Sequence, residues 1–215
     1  MASDLASSST WRTVVTDIVP MDRTHVEVTS LAMRGTDDVV PKMTPAERIA
    51  LVWPLTLDAW SFKEPSIADP DFKDMLLALT EADADYLVVG AYAVAAHGYP
   101  RATGDLDLWV RPTSDNADKD WNDLVVFGAP ASKLKVEDFF TPDVVYQIGV
   151  APRRIDILTS ISGVEFDVAW KNRLTVSLDG LALPVIGRKE LLQNKRASGR
   201  PKDIADVHTL DSGEK

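Results

Sequence analysis

The chain has 215 residues, of which 45% are hydrophobic, and a formal net charge of −10; this length supports one well-buried core with an appendage rather than two full domains. It contains no cysteine, which excludes a disulfide framework and thiolate metal sites, so any metal must be held by oxygen or by the three histidines, a preference of hard cations. The acidic balance repels polyanions at long range, so a nucleic acid would need a local basic patch, whereas a free nucleotide carried with its own cation suffers less.

In chain order, Met1 to about residue 10 is small and polar, with Ser7, Ser8 and Ser9 in a row, and reads as a disordered leader. Residues 11–68 form an N-terminal extension that is expected to be mostly helical, with a short strand at His25 to Ser30 where Val26 and Val28 alternate with polar residues. Thr44, Pro45 and Glu47 make a capping box with proline at the first helical position. The helix they open is expected to kink or end at Pro54, before Leu55 to Phe62. Its Trp53, Trp60 and Phe62 are expected to pack on the main domain, and Lys63 to Asp69 reads as a linker. The N-terminus lacks the cationic and apolar regions of a signal peptide, and the apolar stretches around Ile49 to Trp60 and Tyr86 to Ala96 are interrupted or too short to cross a bilayer. A cytoplasmic location without a membrane partner is the expectation.

The main domain, 69–215, starts with Asp69 as N-cap and Pro70 as first residue of a helix whose Phe72, Met75, Leu76 and Leu79 recur at helical spacing. A buried strand at Tyr86 to Val89, a turn at Gly90, a helix at Ala91 to His97 and a strand at Asp105 to Val110 follow within few residues, which is compact α/β organisation. Further elements are a helix at Asp115 to Val126, strands at Val144 to Val150 and Arg154 to Leu158, and a helix at Val164 to Lys171. One or two strands over Leu174 to Ile186 precede helices at Arg188 to Ala197 and Pro201 to Leu210. No internal repeat is visible.

Side chains two apart on a strand leave the same face, so Asp105 and Asp107 project together while Leu106 and Leu108 enter the core. Two like charges side by side repel unless a cation neutralises them, and magnesium bound by one or two carboxylates plus phosphate oxygens would do so. A surface strand with two solvated aspartates explains the same pair. Asp156 again stands between apolar neighbours on an expected strand; if that strand lies beside Asp105 to Val110, three acids converge. Two metal ions about 3.5 to 4 Å apart, bridged by such acids, neutralise a triphosphate and lower the pKa of an attacking hydroxyl. The alternative for Asp156 is a salt bridge with Arg153 or Arg154. Gly90, between strand and helix, lets the backbone approach a phosphate and turns the following amides toward it, or simply makes a tight turn.

The string Val88-Val89-Gly90-Ala91-Tyr92-Ala93-Val94-Ala95-Ala96-His97-Gly98, then Arg101 to Leu108, then Ile155-Asp156-Ile157, resembles the DNA polymerase beta-like nucleotidyltransferase superfamily. It looks most like the small bacterial branch related to AbiEii-type toxins and minimal nucleotidyltransferases. The resemblance covers about Asp71 to Leu210. It implies a nucleotidyltransferase fold of the α/β (α+β) class, a mixed β-sheet with helices packed on one face, here preceded by the N-terminal helical extension. It also implies that Gly90 and Ala91 hold the triphosphate, that Asp105 and Asp107 bind two Mg2+ ions (Mn2+ being an alternative), and that Asp156 is the third metal-binding and catalytic carboxylate. Families of this kind usually carry glycine or serine where this chain has Ala91, which keeps the backbone donor and loses a hydroxyl contact. The C-terminal string Asn194 to Asp206 is also similar to this branch; its four cations, Lys195, Arg196, Arg200 and Lys202, suggest an anion site with Lys195 on the triphosphate. A solvated turn pairing with Asp203 and Asp206 explains Arg196, Arg200 and Lys202 equally. Arg101 and Thr103 are expected to position phosphate or support the loop, and His97 and His208 are assigned no chemistry.

The implied reaction transfers NMP from an NTP such as ATP to a hydroxyl on a protein, a tRNA or a small molecule. The alternative is a catalytically silent module that binds nucleotide or a partner in a regulatory role. Met43 to Lys63 resembles, less specifically, small proteins encoded beside such enzymes, so this segment is either a cis-fused, antitoxin-like partner or an ordinary extension that completes the core.

Overall fold

The computed structural model describes residues 26–29, 43–59, 70–133, 135–150 and 153–212. The expected leader, the Lys63 to Asp69 linker and the side chains of Trp53, Trp60 and Phe62 lie outside the described residues. The strands are β1 (Val26–Thr29), β2 (Tyr86–Val88), β3 (Asp105–Val110), β4 (Val145–Val150), β5 (Arg153–Leu158), β6 (Leu174–Leu178) and β7 (Leu181–Val185), with the continuous apolar run of β2 buried throughout. They join in one seven-stranded sheet of order β1-β4-β5-β3-β2-β7-β6. The β3–β5 and β2–β7 pairs are parallel and the other pairs antiparallel, so the sheet is mixed, as expected. The segment Leu174 to Ile186 resolves into two strands because Asp179 and Gly180 take φ of +51° and +85°, the left-handed pair that a two-residue hairpin turn requires.

Among the described residues, seven α-helices accompany the sheet: α1 (Pro45–Ala59), α2 (Pro70–Glu81), α3 (Gly90–Ala96), α4 (Ser114–Phe127), α5 (Phe166–Lys171), α6 (Arg188–Ser198) and α7 (Pro201–Ser212). The capping box at α1 is formed: Thr44 N–H donates to Glu47 Oε2 at 2.7 Å, and Glu47 N–H donates to Thr44 Oγ1 at 3.3 Å. Pro54 does not end α1, which runs on to Ala59. Proline forfeits one backbone hydrogen bond, but Val52 and Thr56 on either side of it are fully buried, and that packing keeps the helix in register. Arg48 donates from Nε to Ala95 O at 2.8 Å and from Nη2 to Ala96 O at 2.6 Å, adding to the backbone bond that Gly98 N–H makes to Ala95 O at the C-terminal end of α3. Residues 91–96 of α3 are all buried, which explains an apolar sequence without a polar face. Two short 3-10 helices, Ala131–Lys133 and Val136–Phe140, carry no periodicity long enough to be read in advance. The second seats Phe139 in the core, stacked on Tyr146 at 5.0 Å. Among the described residues no helix is long and apolar enough to cross a membrane.

One element is packed against its own chemistry. The buried side of α4 carries Asn116, Asp120 and Asp123 beside Ala117, Leu124 and Phe127. Asn116 is satisfied: it accepts from Asp85 N–H at 2.7 Å and donates to Asp120 Oδ2 at 2.9 Å. Asp120 Oδ1 and Asp123 Oδ2 are buried without a hydrogen-bond partner. Burial, then the neighbouring charge of Asp123, pushes the Asp120 carboxyl up from 3.8 to about 8, and burial pushes Asp123 up to about 6. Both folded pKa values exceed the unfolded ones, so folding takes up protons and these two groups make stability fall as pH rises from about 4 to about 8. Asp120→Asn is therefore expected to stabilise the protein, by on the order of 2 kcal/mol at pH 8 and by much less at pH 5. Urea denaturation at the two pH values checks this, and an equal effect at both would refute it.

Candidate functional site

Because β2 and β3 are antiparallel, the end of β2 and the start of β3 meet at one edge of the sheet, and there the chain turns through Gly90 into α3. Val89 N–H donates to Asp107 O at 3.0 Å, which holds this turn against β3. Gly90 has φ +59°, and a Cβ placed on it would stand 1.9 Å from Asp107 Oδ2. The glycine is thus required twice, for its backbone conformation and for the carboxylate lying over it. The sequence alone offered a simple tight turn as the alternative; the close approach of Asp107 shows that the turn also needs a residue without a side chain.

A cavity of about 390 Å³ opens at this edge, and Gly90, Ala91, Arg101, Thr103, Asp105, Asp107, Lys195, Arg200 and Lys202 all line it. Nine of the ten residues singled out from sequence therefore share one space, although they come from β3, α3, α6, α7 and the loops between. Thr103 donates its hydroxyl to Asp105 Oδ1 at 2.7 Å, and its backbone N–H donates to Thr56 Oγ1 at 3.0 Å. Thr56 in turn donates to Thr103 O at 3.0 Å. The N-terminal helix α1 thereby fixes the loop that aims Asp105. Val89, Leu158, Ile161, Ser162, Asn194, Ser198 and Asp203 form the remaining wall. Val89, Asn194, Ser198 and Asp203 belong to the strings already singled out from the sequence, whereas nothing local marks Leu158, Ile161 and Ser162, which come from the end of β5 and the loop after it.

Asp156 is the exception. Strand β5 does lie beside β3, with Asp107 opposite Asp156 and Asp105 opposite Arg154, so all three acids share a face. Yet Asp156 is fully buried and is not among the residues lining the cavity. Arg154 donates from Nε to Asp156 Oδ1 at 2.8 Å and from Nη2 to Asp105 Oδ2, and Gln147 Nε2 donates to Asp156 Oδ2 at 2.8 Å. The expectation that three acids open into one pocket is corrected accordingly: two face the cavity, and the third is engaged by Arg154, the salt bridge that the sequence had offered as its alternative. Among the described residues no group of three or more His, Cys, Asp or Glu side chains is placed to hold a metal ion together. Asp105 and Asp107 do suit magnesium, which keeps waters and phosphate oxygens and needs only one or two carboxylates.

The cations divide into two kinds. Lys195 is buried, and its ammonium lies 2.7 Å from Asp203 Oδ1 and 2.5 Å from Asp206 Oδ2. Arg101, also buried, grips Asp206 through Nε and Nη2, each at 3.2 Å. Ser198 and Arg200 donate to Asp203 Oδ2 at 2.5 Å each. Burial alone would raise the Asp203 carboxyl, but the charge and hydrogen bond of Lys195, with the donors of Ser198 and Arg200, hold it at about 2. Lys195, expected on a triphosphate, is thus chiefly the centre of an internal ion cluster that joins α6 to α7. Lys202 differs: burial and the charge of Arg101 lower its pKa, while Asp107 and Asp105 act the other way. Lys202 lines the same cavity as both acids. His97 places Nε2 2.7 Å from Ile186 O, a packing role consistent with the absence of assigned chemistry.

No protein-family model matches the chain, and no curated protein does. Among solved structures it is similar to a protein from Thermotoga maritima described as a candidate nucleotidyltransferase, with 17% identity, 66% of this chain and 89% of that one covered, and a TM-score of 0.43. It is also similar to an antigenic nucleotidyltransferase-like protein from Paracoccidioides brasiliensis, with 19% identity, coverage of 65% and 74%, and a TM-score of 0.41.

Proposed function

We propose that this chain is a nucleotidyltransferase that binds a nucleoside triphosphate with Mg2+ in the cavity at the β2–β3 edge and transfers a nucleoside monophosphate to a hydroxyl, releasing pyrophosphate. The observation that carries the reading is the contact between Gly90 and Asp107. It presses a backbone turn suited to phosphate against a carboxylate suited to the phosphate's cation, in a cavity that Lys202 also lines. In this reading Asp105 and Asp107 hold the ion, which when bound neutralises phosphate charge and acidifies the attacking hydroxyl. Opening amides of α3, which have no intrahelical partner, receive phosphate oxygens, and Lys202 balances the triphosphate charge. Arg101 and Thr103 support the loop more than they touch the ligand, since their polar groups are engaged by Asp206, Asp105 and Thr56. The acceptor belongs to one of three classes, a protein side chain, a tRNA end or a small molecule, and a cytoplasmic, bacterial, toxin–antitoxin setting is part of the proposal.

The engagement of Asp156 by Arg154 and Gln147 favours a second reading, a silent module that binds nucleotide without turnover. Pyrophosphate release should be measured with each NTP and Mg2+, for the native chain and for Asp105→Ala with Asp107→Ala. The proposed enzyme predicts release that the double substitution reduces by at least about 100-fold, the scale of losing a group that stabilises transition-state charge. Tight Mg2+-dependent binding without release selects the silent module, and no nucleotide binding refutes both.

A further inference from the structure

Of the three acids on adjacent strands, two are bridged by Arg154. Arg154 stands opposite Asp105 across the parallel β3–β5 pair and two residues before Asp156 on the same face of β5. Neighbouring strands are about 4.8 Å apart and same-face residues about 6.6 Å apart along a strand. A guanidinium, planar and forked, spans that diagonal and can serve two carboxylates at once. It does so here: Nε bonds Asp156 and Nη2 bonds Asp105. Gln147, from the other side of β5, takes the remaining oxygen of Asp156. The Asp156 side chain is 0% exposed and that of Arg154 only 23%, so the bridge is shielded from competing water and salt.

We infer that Arg154 is a built-in counter-cation of the carboxylate set: Asp156 holds Arg154 instead of a metal ion, and the site takes one divalent cation, on the Asp105–Asp107 side. A second ion beside Asp156 would meet a fixed positive charge at hydrogen-bond distance from both of its carboxylate ligands. The repulsion between like charges in a poorly solvated site is large enough to decide occupancy. Arg154 is accordingly a positioning residue, setting the cation count and the aim of Asp105, and not a catalytic one. The inference rests on the proposed cavity only for the Asp105–Asp107 ion.

Counting Mn2+ ions bound to the full-length chain, by electron paramagnetic resonance and calorimetry, tests it, first with Mn2+ alone and then with α,β-methylene-ATP, corrected for the nucleotide's own Mn2+. The native chain is expected to hold one Mn2+. Asp156→Asn is expected to leave Mn2+ affinity within about threefold of native, while Asp107→Asn lowers it by more than about 30-fold, the range of losing a direct charged ligand. Arg154→Gln is expected to admit a second Mn2+ or to tighten the first by about tenfold, and Arg154→Lys to keep the count at one. Two ions on the native chain, loss of Mn2+ on Asp156→Asn as severe as on Asp107→Asn, or no Mn2+ binding at all overturns the inference. If Arg154→Gln does not fold, the Asp156→Asn comparison still decides it. Failure of the nucleotide analogue to bind would refute the proposed function without touching the count measured with Mn2+ alone.

Discussion

Replacing Gly90 with alanine is expected to weaken nucleotide binding by about 30- to 150-fold while leaving the fold in place. Two costs coincide at this position. An L side chain at φ +59° takes on the left-handed penalty of about 1 to 2 kcal/mol. The added methyl would stand 1.9 Å from Asp107 Oδ2 and 2.6 Å from its Cγ, so the carboxylate has to swing away. Asp107 follows a buried strand residue and is itself nearly buried; its free space lies toward the cavity, where phosphate would sit. Loss of about 2 to 3 kcal/mol of binding, about 30- to 150-fold in affinity, follows from displacing one charged group of the site. Titration with a fluorescent ATP analogue and Mg2+, beside urea denaturation of the same variant, separates the two costs. Affinity within threefold of native would show that Asp107 has no part in the ligand site.

Lys195→Met is expected to be the most destabilising single substitution in the C-terminal helices, by about 3 to 5 kcal/mol, the range for breaking a buried ion pair from one side. Lys195, Asp203 and Asp206 are each nearly inaccessible, with side-chain exposures of 4%, 1% and 4%. Removing the ammonium leaves two buried carboxylates with Arg101, Arg200 and Ser198 as remaining donors. Adding Asp203→Asn to Lys195→Met should recover part of the loss, because a neutral amide costs less to bury than an uncompensated charge. The pH dependence carries the same signature. Asp203, held at about 2 when folded against 3.8 otherwise, contributes stability that is present above pH 4 and lost as pH falls toward 2, opposite in sign to Asp120. A Lys195→Met variant within 1 kcal/mol of native in urea denaturation would mean that the cluster is not structural and would return Lys195 to the phosphate.

How much of this was legible beforehand differs by element. Strand β3 and helices α2, α6 and α7 were readable to within two residues, because turn residues and apolar spacing coincide there. Of the two outcomes expected at Pro54, termination did not occur, since a propensity argument concerns an isolated helix and α1 is held by Val52 and Thr56 in the core. The polar stripe of α4 gave no warning, because Asn116, Asp120 and Asp123 resemble a solvated face in sequence and are buried in fact. At the cavity, the residue types named the chemistry, acids for a cation and a glycine for a backbone approach, but not which of them face the same space.

By itself, the sequence determined the local elements and the kinds of ligand their side chains can hold, because period, caps and charge act over a few residues. Only the tertiary structure decided partnership: that Asp107 lies on Gly90, that α1 aims Asp105 through Thr56 and Thr103, and that Arg154 rather than open space stands between Asp105 and Asp156. Such choices depend on the register between strands and on which helix covers which face. Burial then decides which of several possible ion pairs forms, since a charge withdrawn from water must take the partner that the fold brings to it.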